Sequence, residues 1–233
     1  MITLEKTTFG YSGDPVHRDL SLKIEKGDVM MITGPNGVGK STLLKIISGV
    51  MLPWRGKVSY NWQETGDPRM YIGYLPDSLS IYKSMKIDQM AKLHWNAFGT
   101  GEQPLPLLEK ASISRNSRIS ELSVGQRVIF HLDLILSTRP KLILIDEVLH
   151  SVDSYLRELA LKAIVETIAD RSPAVVMVNL NYTAVEHLVN RIVFLTSNGV
   201  SMNKTSEELT ANGEKISDIL CELVSGTYRE GRR

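Results

Sequence analysis

Nine consecutive residues, Gly34-Pro35-Asn36-Gly37-Val38-Gly39-Lys40-Ser41-Thr42, restrict the fold of this chain more than any other part of it. They satisfy the spacing G-x-x-x-x-G-K-[ST] and stand between an apolar run, Val29-Met30-Met31-Ile32, and a segment with helical spacing. Glycine permits backbone conformations in which successive N–H groups turn inward. The start of the next helix adds unpaired N–H groups and the positive end of its dipole. Such a loop is suited to cradling phosphates. Lys40 would bridge the outer phosphates and the Ser41 hydroxyl would ligate Mg²⁺, with Asn36, Gly37, Gly39 and Thr42 completing the cradle. A plain glycine-rich turn is the other reading, and the strand–loop–helix order argues against it.

A second element fits the same chemistry. Leu142-Ile143-Leu144-Ile145-Asp146-Glu147 reads as a buried strand ending in two acids. At the end of a neighbouring parallel strand, Asp146 would reach the Mg²⁺ shell and Glu147 would orient and deprotonate an attacking water. Many strands simply end in solvated acids, so this run gains meaning from the loop above.

The pattern along the chain supports a strand-helix alternation. Ile2 to Phe9, Leu20 to Ile24, Val29 to Thr33 and Gly56 to Tyr60 are strand-like, and Tyr11 to Pro15 is turn-like. A helix is expected over Lys40 to Gly49. From Asp77 to about Ser137 the spacing is helical, with Met90, Leu93 and Ala97 on one stripe and Val128, Leu132 and Ile135 on another. Strands follow at Lys141 to Ile145 and Ala174 to Val178. Between them Asp153 can cap a helix with Leu156, Leu159, Ala160, Ala163, Ile164 and Ile168 on one face. The tail from Thr205 to Tyr228 reads as helical. Such alternation predicts an α/β fold with a mostly parallel sheet, an antiparallel N-terminal β part and an all-helical insert over about 77–137 of a single 1–233 domain.

Composition removes several function classes. With 27 basic against 26 acidic residues the formal net charge is +1, which argues against a broad nucleic-acid footprint; no nucleic-acid partner is expected. The lone Cys221 cannot form an internal disulfide and fits a reducing, cytoplasmic setting, where it reads as a buried thiol. The N-terminal Met1-Ile2-Thr3-Leu4-Glu5-Lys6 does not read as a signal peptide. No apolar run approaches the ~20 residues that span a bilayer.

Leu122-Ser123-Val124-Gly125-Gln126, about twenty residues before Glu147, completes a set of motifs in order. Here the chain resembles the ATP-binding-cassette (ABC) ATPase family, whose signature is Leu-Ser-Gly-Gly-Gln. The resemblance covers nearly the whole chain. It implies a P-loop NTPase (RecA-like) core, ATP rather than another nucleotide, and Mg²⁺. It places Tyr11 where an aromatic residue stacks on adenine, Ser151-Val152-Asp153 in a dimer-contacting loop, and Asn190-Arg191 at the family's Asp-Arg position. It also implies a sandwich of two cassettes, homodimeric or heterodimeric, in which Ser123, Gly125 and Gln126 grip the ATP held by the partner's loop. A Ser-capped helix start is the plainer reading of that pentapeptide.

Four positions depart from the family. Val124 replaces a glycine, and a β-branched residue resists positive φ, so the loop must avoid that conformation or be strained. Asp77 stands where a glutamine senses metal and membrane partner; it would approach Mg²⁺ through water or cap a helix. Val148 replaces a proline after Glu147, with little effect expected on the chemistry. Leu180 occupies the place of the switch histidine, flanked by Asn179 and Asn181, while His187 lies in the next helix. A leucine cannot hydrogen-bond the γ-phosphate, and losing one such donor costs roughly 10²–10³ in rate.

The expectation is a slow ATPase, or one half of an asymmetric pair, that energises a membrane transporter. It would sit peripherally on the inner face of the cell membrane beside a separate permease chain. The single cassette and Gly73-Tyr74-Leu75-Pro76 look more like exporter-type systems. A docking groove is expected over Leu79 to Phe98, including Ile81, Tyr82, Met85, Trp95 and Phe98, although each of these could instead belong to the insert's own core. Two other classes remain open: a soluble cassette working on DNA or ribosomes, and a cassette that binds ATP to regulate assembly with little hydrolysis.

Overall fold

The computed structural model describes residues 1–62, 66–78, 82–178 and 187–215, with 218, 219 and 222; the side chains of 150 and 151 are outside the description. In chain order come β1 (Ile2–Tyr11), β2 (Asp14–Ile24), β3 (Val29–Thr33), α1 (Lys40–Ile47), β4 (Arg55–Tyr60), β5 (Ile72–Leu75), α2 (Ile87–Phe98) and α3 (Pro106–Lys110). There follow α4 (Val124–Ser137), β6 (Leu142–Ile145), α5 (Ser154–Arg171), β7 (Ala174–Val178), β8 (Arg191–Thr196), β9 (Gly199–Thr205) and α6 (Ser206–Ala211). The chain divides into two units, Met1–Gln63 with Ala174–Arg233, and Glu64–Pro173.

In the first unit β1 pairs antiparallel with β2 and with β4. The β1–β2 pairing continues to Tyr11 opposite Asp14, so the turn foreseen over Tyr11 to Pro15 narrows to Ser12-Gly13. Both turn residues have positive φ, 52° and 91°, the geometry whose twist matches that of a two-residue hairpin. The other sheet of this unit has β3 between β7 and β8, all parallel, with β9 antiparallel on β8. Met30, Met31 and Ile32 are buried, as are Val175 to Val178. Continuous apolar runs of this kind belong to strands covered on both faces. The last turn of α1 closes with Ser48 N–H donating to Leu44 O at 2.8 Å and Gly49 in the left-handed region.

In the second unit β5 and β6 run parallel, Leu75 opposite Ile145. Packed helices supply most of its core. Val128, Leu132 and Ile135 of α4 are buried as their spacing predicts. On α5, Leu156, Ala160, Ala163 and Ile164 are buried, with Leu159 and Ile168 half-buried beside them.

The inner face of α2 differs from the expected one. Its buried residues are Ile87, Ala91 and Trp95, whereas Leu93 and Ala97 are exposed and Met90 is half-buried. Trp95 is therefore core: its ring is closed off from solvent and Nε1 donates to Ser137 Oγ at 3.0 Å. It is removed from the expected docking groove, while Tyr82 is exposed and Met85 and Phe98 are half-buried. Leu79, Ile81, Cys221 and Tyr228 lie outside the described residues. No helix among the described residues is long and apolar enough to cross a membrane.

Candidate functional site

The loop from Gly34 to Gly39 leaves the end of β3 and enters α1. Gly34, Gly37 and Gly39 take φ of 147°, 77° and 103°, a region that L side chains avoid. Space adds a second constraint at two of them. A Cβ on Gly34 would fall 2.2 Å from Leu195 O, and one on Gly39 would fall 2.4 Å from Val16 Cγ1. Gly39 is the N-cap of α1 and, being a glycine, gives it no side-chain cap; a helix start of this kind is suited to an anion. Lys40 is buried and folds back across the loop, its Nζ donating to Gly34 O at 2.9 Å and Pro35 O at 3.0 Å. These carbonyls hold the ammonium where phosphate oxygens are expected to compete for it. Ser41 and Thr42 occupy the first turn of α1, and Asn36 lies exposed in the loop.

The β1–β2 hairpin belongs to the same unit. Tyr11, half exposed beside the turn, presents an aromatic face to solvent. Further along β2, His17 is buried with Nε2 2.7 Å from Val38 O of the phosphate loop. Its ring packs on Phe9 with centroids 5.5 Å apart. Sequence reading passed over His17, because an isolated histidine in a strand carries no motif.

The acids lie in the second unit. All four residues of β6 are buried, and Asp146 directly after it is buried too. The Asp146 N–H donates to Leu75 O at 2.9 Å, and its Oδ1 accepts the Glu147 N–H at 3.2 Å. Val148 N–H reaches the Asp146 carbonyl, so the chain reverses sharply and enters a short 3-10 helix over Val148–Ser151. Glu147 is half-buried at this turn. Val148 is buried, so the residue in the usual proline place adds to the core. Asp77 follows the adjacent parallel strand β5; it is exposed, and its Oδ1 accepts the Ser78 N–H at 2.7 Å. Residues 79–81, which would follow a cap at Asp77, lie outside the described residues. Among the described residues no group of three or more His, Cys, Asp or Glu side chains forms a preassembled metal site. Magnesium bound with a nucleotide is held in part by the nucleotide's own phosphates and prefers hard oxygen donors; Ser41 in the first unit and Asp146 in the second each carry such oxygen.

The pentapeptide Leu122 to Gln126 opens α4. Ser123 is the N-cap: its Oγ accepts the Gln126 N–H at 3.2 Å while Gln126 Oε1 accepts the Ser123 N–H at 2.9 Å, a reciprocal capping box. Val124 begins the helix and is absent from the residues with positive φ, so the strain considered for a β-branched residue does not arise. Its side chain is exposed. Gly125 is confined by its neighbours: an added Cβ would meet Leu156 Cδ1 at 3.1 Å and Val152 Cγ1 at 3.3 Å. The loop of Val152 and Asp153 thus lies directly against the signature. Asp153 caps α5 by accepting the Leu156 N–H at 3.0 Å. Arg157 ties both flanks of that loop, donating to Leu149 O at 3.0 Å and Val152 O at 2.6 Å.

Asn190 and Arg191 serve the framework. Asn190 Oδ1 accepts the Val29 N–H at 2.8 Å and its Nδ2 donates to Gly27 O at 3.0 Å, while Arg191 pairs with Asp28 at 2.9 Å. Together they pin the start of β3, upstream of the phosphate loop. Leu180, Asn179 and Asn181 lie outside the described residues, and His187 is exposed in a turn.

Comparison with known proteins agrees with this geometry. Residues 17–150, more than half the chain, match the family model described as ABC transporter. The chain is similar to the high-affinity zinc uptake system ATP-binding protein ZnuC of Bacillus subtilis (strain 168), 29% identical over 210 residues, covering 84% of this chain and 90% of that protein. It is also similar to the lantibiotic transport ATP-binding protein SrtF of Streptococcus pyogenes, 25% identical over 210 residues, covering 88% and 90%. Among solved structures, an ATP-binding subunit of an ABC transporter superposes with a TM-score of 0.82 at 23% identity, covering 96% of this chain and 99% of the other. That likeness establishes the fold, an α/β P-loop NTPase cassette.

Proposed function

The chain belongs to the ABC transporter family, whose cassettes are ATPases, and from that premise we propose that it binds Mg·ATP at the Gly34–Thr42 loop and hydrolyses it slowly to drive a separate membrane permease. The observation that carries the reading is the loop itself, with three left-handed glycines leading into the start of α1 and Lys40 folded over the cradle. Asn36, Gly37, Gly39, Lys40 and Thr42 hold phosphates, Tyr11 stacks on the base, and Ser41, Asp146 and, through water, Asp77 serve Mg²⁺. Glu147 takes the proton of the attacking water. Ser123, Gly125 and Gln126 contact the γ-phosphate of ATP held by a second cassette, identical or different. Slow turnover is proposed because Leu180 replaces the switch histidine.

For direction we propose an exporter-type system, supported by the Gly73–Pro76 stretch and by the likeness to a lantibiotic transport protein. The zinc-uptake relative favours the opposite direction, and the permease decides between them. We further propose that the permease docks at the inner face of the cell membrane on the surface that includes Tyr82, Met85 and Phe98. A second reading, ATP binding that governs assembly with little turnover, is favoured by exposed Val124 in the signature.

Tagged protein purified from gently solubilised native membranes with Mg·ATP tests the transporter reading. A stoichiometric polytopic membrane protein is expected, and recovery only from the soluble fraction would overturn it. Comparing ATP-dependent dimerisation with turnover in the natural chain and Glu147→Gln tests the second reading.

A further inference from the structure

We propose that His17 is a positioning residue for the phosphate loop: from β2 it donates a hydrogen bond to the Val38 carbonyl and thereby aims the Gly39 N–H into the cradle. The inference rests on the assignment of that loop as the nucleotide site. A carbonyl only accepts, so the 2.7 Å contact requires the proton on Nε2 and leaves Nδ1 bare. Nδ1 is buried with no hydrogen-bond partner, so protonating it would place an unsolvated charge there, and burial accordingly lowers the His17 pKa. The ring is 1% exposed and packed against Phe9. Its orientation is therefore fixed by packing before any ligand arrives.

The consequence follows from peptide geometry. The Val38 carbonyl and the Gly39 N–H belong to one planar trans unit and point in opposite directions. Holding the carbonyl against β2 directs the N–H away from β2, toward the side where phosphates are expected. The contact has no slack, since a Cβ on Gly39 would meet His17 Nε2 at 3.1 Å and Val16 Cγ1 at 2.4 Å. A loop donor fixed in advance need not be ordered by the ligand, and that saving appears as affinity. An apolar residue at position 17 would fill the same space and leave the peptide free to turn.

Titration of the full chain with Mg·ATP, alongside steady-state kinetics, tests this. His17→Leu is expected to bind roughly three- to tenfold more weakly, the worth of one net hydrogen bond, with the loss in KM rather than in kcat. His17→Gln, whose amide nitrogen reaches the place of Nε2, is expected to retain the natural affinity. His17→Asn, whose nitrogen reaches only the place of Nδ1, is expected to lose it as the leucine variant does. Melting temperatures separate these effects from misfolding, and if His17→Leu does not fold, the contrast between Gln and Asn decides. Natural affinity in His17→Leu, or equal affinities in the Gln and Asn variants, would overturn the inference. Unchanged binding in Lys40→Ala would instead overturn the loop assignment beneath it.

Discussion

Lys40 holds two loop carbonyls at 2.9 and 3.0 Å, and the same ammonium is what the phosphates need. Exchange of carbonyl for phosphate oxygens converts neutral acceptors into charged ones, the stronger bonds. Lys40→Ala is predicted to weaken Mg·ATP binding by roughly 10- to 100-fold in equilibrium titration, the range for a hydrogen bond to a charged group. Leu180 offers a test in the other direction. Leu180→His restores a γ-phosphate donor and should raise single-turnover hydrolysis by about 10²-fold; an unchanged rate would show that the leucine is not what limits it. The geometry of the loop was legible because nine residues of fixed spacing specify it. His17 was not legible, since its role depends on a carbonyl twenty-one positions away that only the folded hairpin brings near. Nor could φ at Val124 be read from residue type, because the helix claims that position.

At the level of elements, α4 joins two kinds of constraint. Its start bears the signature and its middle bears buried titratable groups. Burial pushes the Asp133 carboxyl up to about 6 from an ordinary 3.8, although it accepts the Leu108 N–H at 2.8 Å. Between those values the folded chain keeps a proton that the unfolded chain has lost, so this contribution is full below about pH 4 and disappears as pH rises through 6. Burial, followed by the charge of His94, pushes His131 down to about 4 from 6.5, so its contribution has the opposite sign: full above 6.5 and lost as pH falls through 4. Burial shifts His94 in the same direction as His131. The slopes oppose each other in the natural chain. Thermal melts between pH 4 and 7 should therefore show stability rising with pH more steeply than in the natural chain in Asp133→Asn and less steeply in His131→Gln. Parallel profiles in the two variants would refute the assignment.

Gly125→Ala should destabilise the chain by about 1 kcal/mol, as overpacking against Leu156 and Val152 forces them to shift, and should reduce ATP-driven dimerisation measured by light scattering. The elements also show where periodicity fails. Met90, Leu93 and Ala97 share a helical spacing with one another, but so do Ile87, Ala91 and Trp95. When apolar residues lie on both sides of a helix, spacing cannot say which side is covered. The size of Trp95 and its bond to Ser137 decide it in the fold.

In the whole molecule, the succession of strands and helices was readable because continuous apolar runs and capped helices mark it. The antiparallel pairing of β1 with β2 and β4, and the parallel strands β7, β3 and β8, match the α/β class expected from that succession. Less visible were the long-range ties, such as Asn190 bonding both Val29 and Gly27 across more than 160 positions. Those ties set where β3 begins and hence where the phosphate loop leaves it. Under the proposed function, loop, acids and signature serve hydrolysis of a nucleoside triphosphate. The most direct measurement is Mg·ATP binding and turnover by the purified chain beside Glu147→Gln. The natural chain should bind and turn over slowly, while the variant binds equally well but hydrolyses roughly 10²- to 10⁴-fold more slowly, as loss of a general base requires. Equal turnover in the two proteins, or no binding by either, would contradict it.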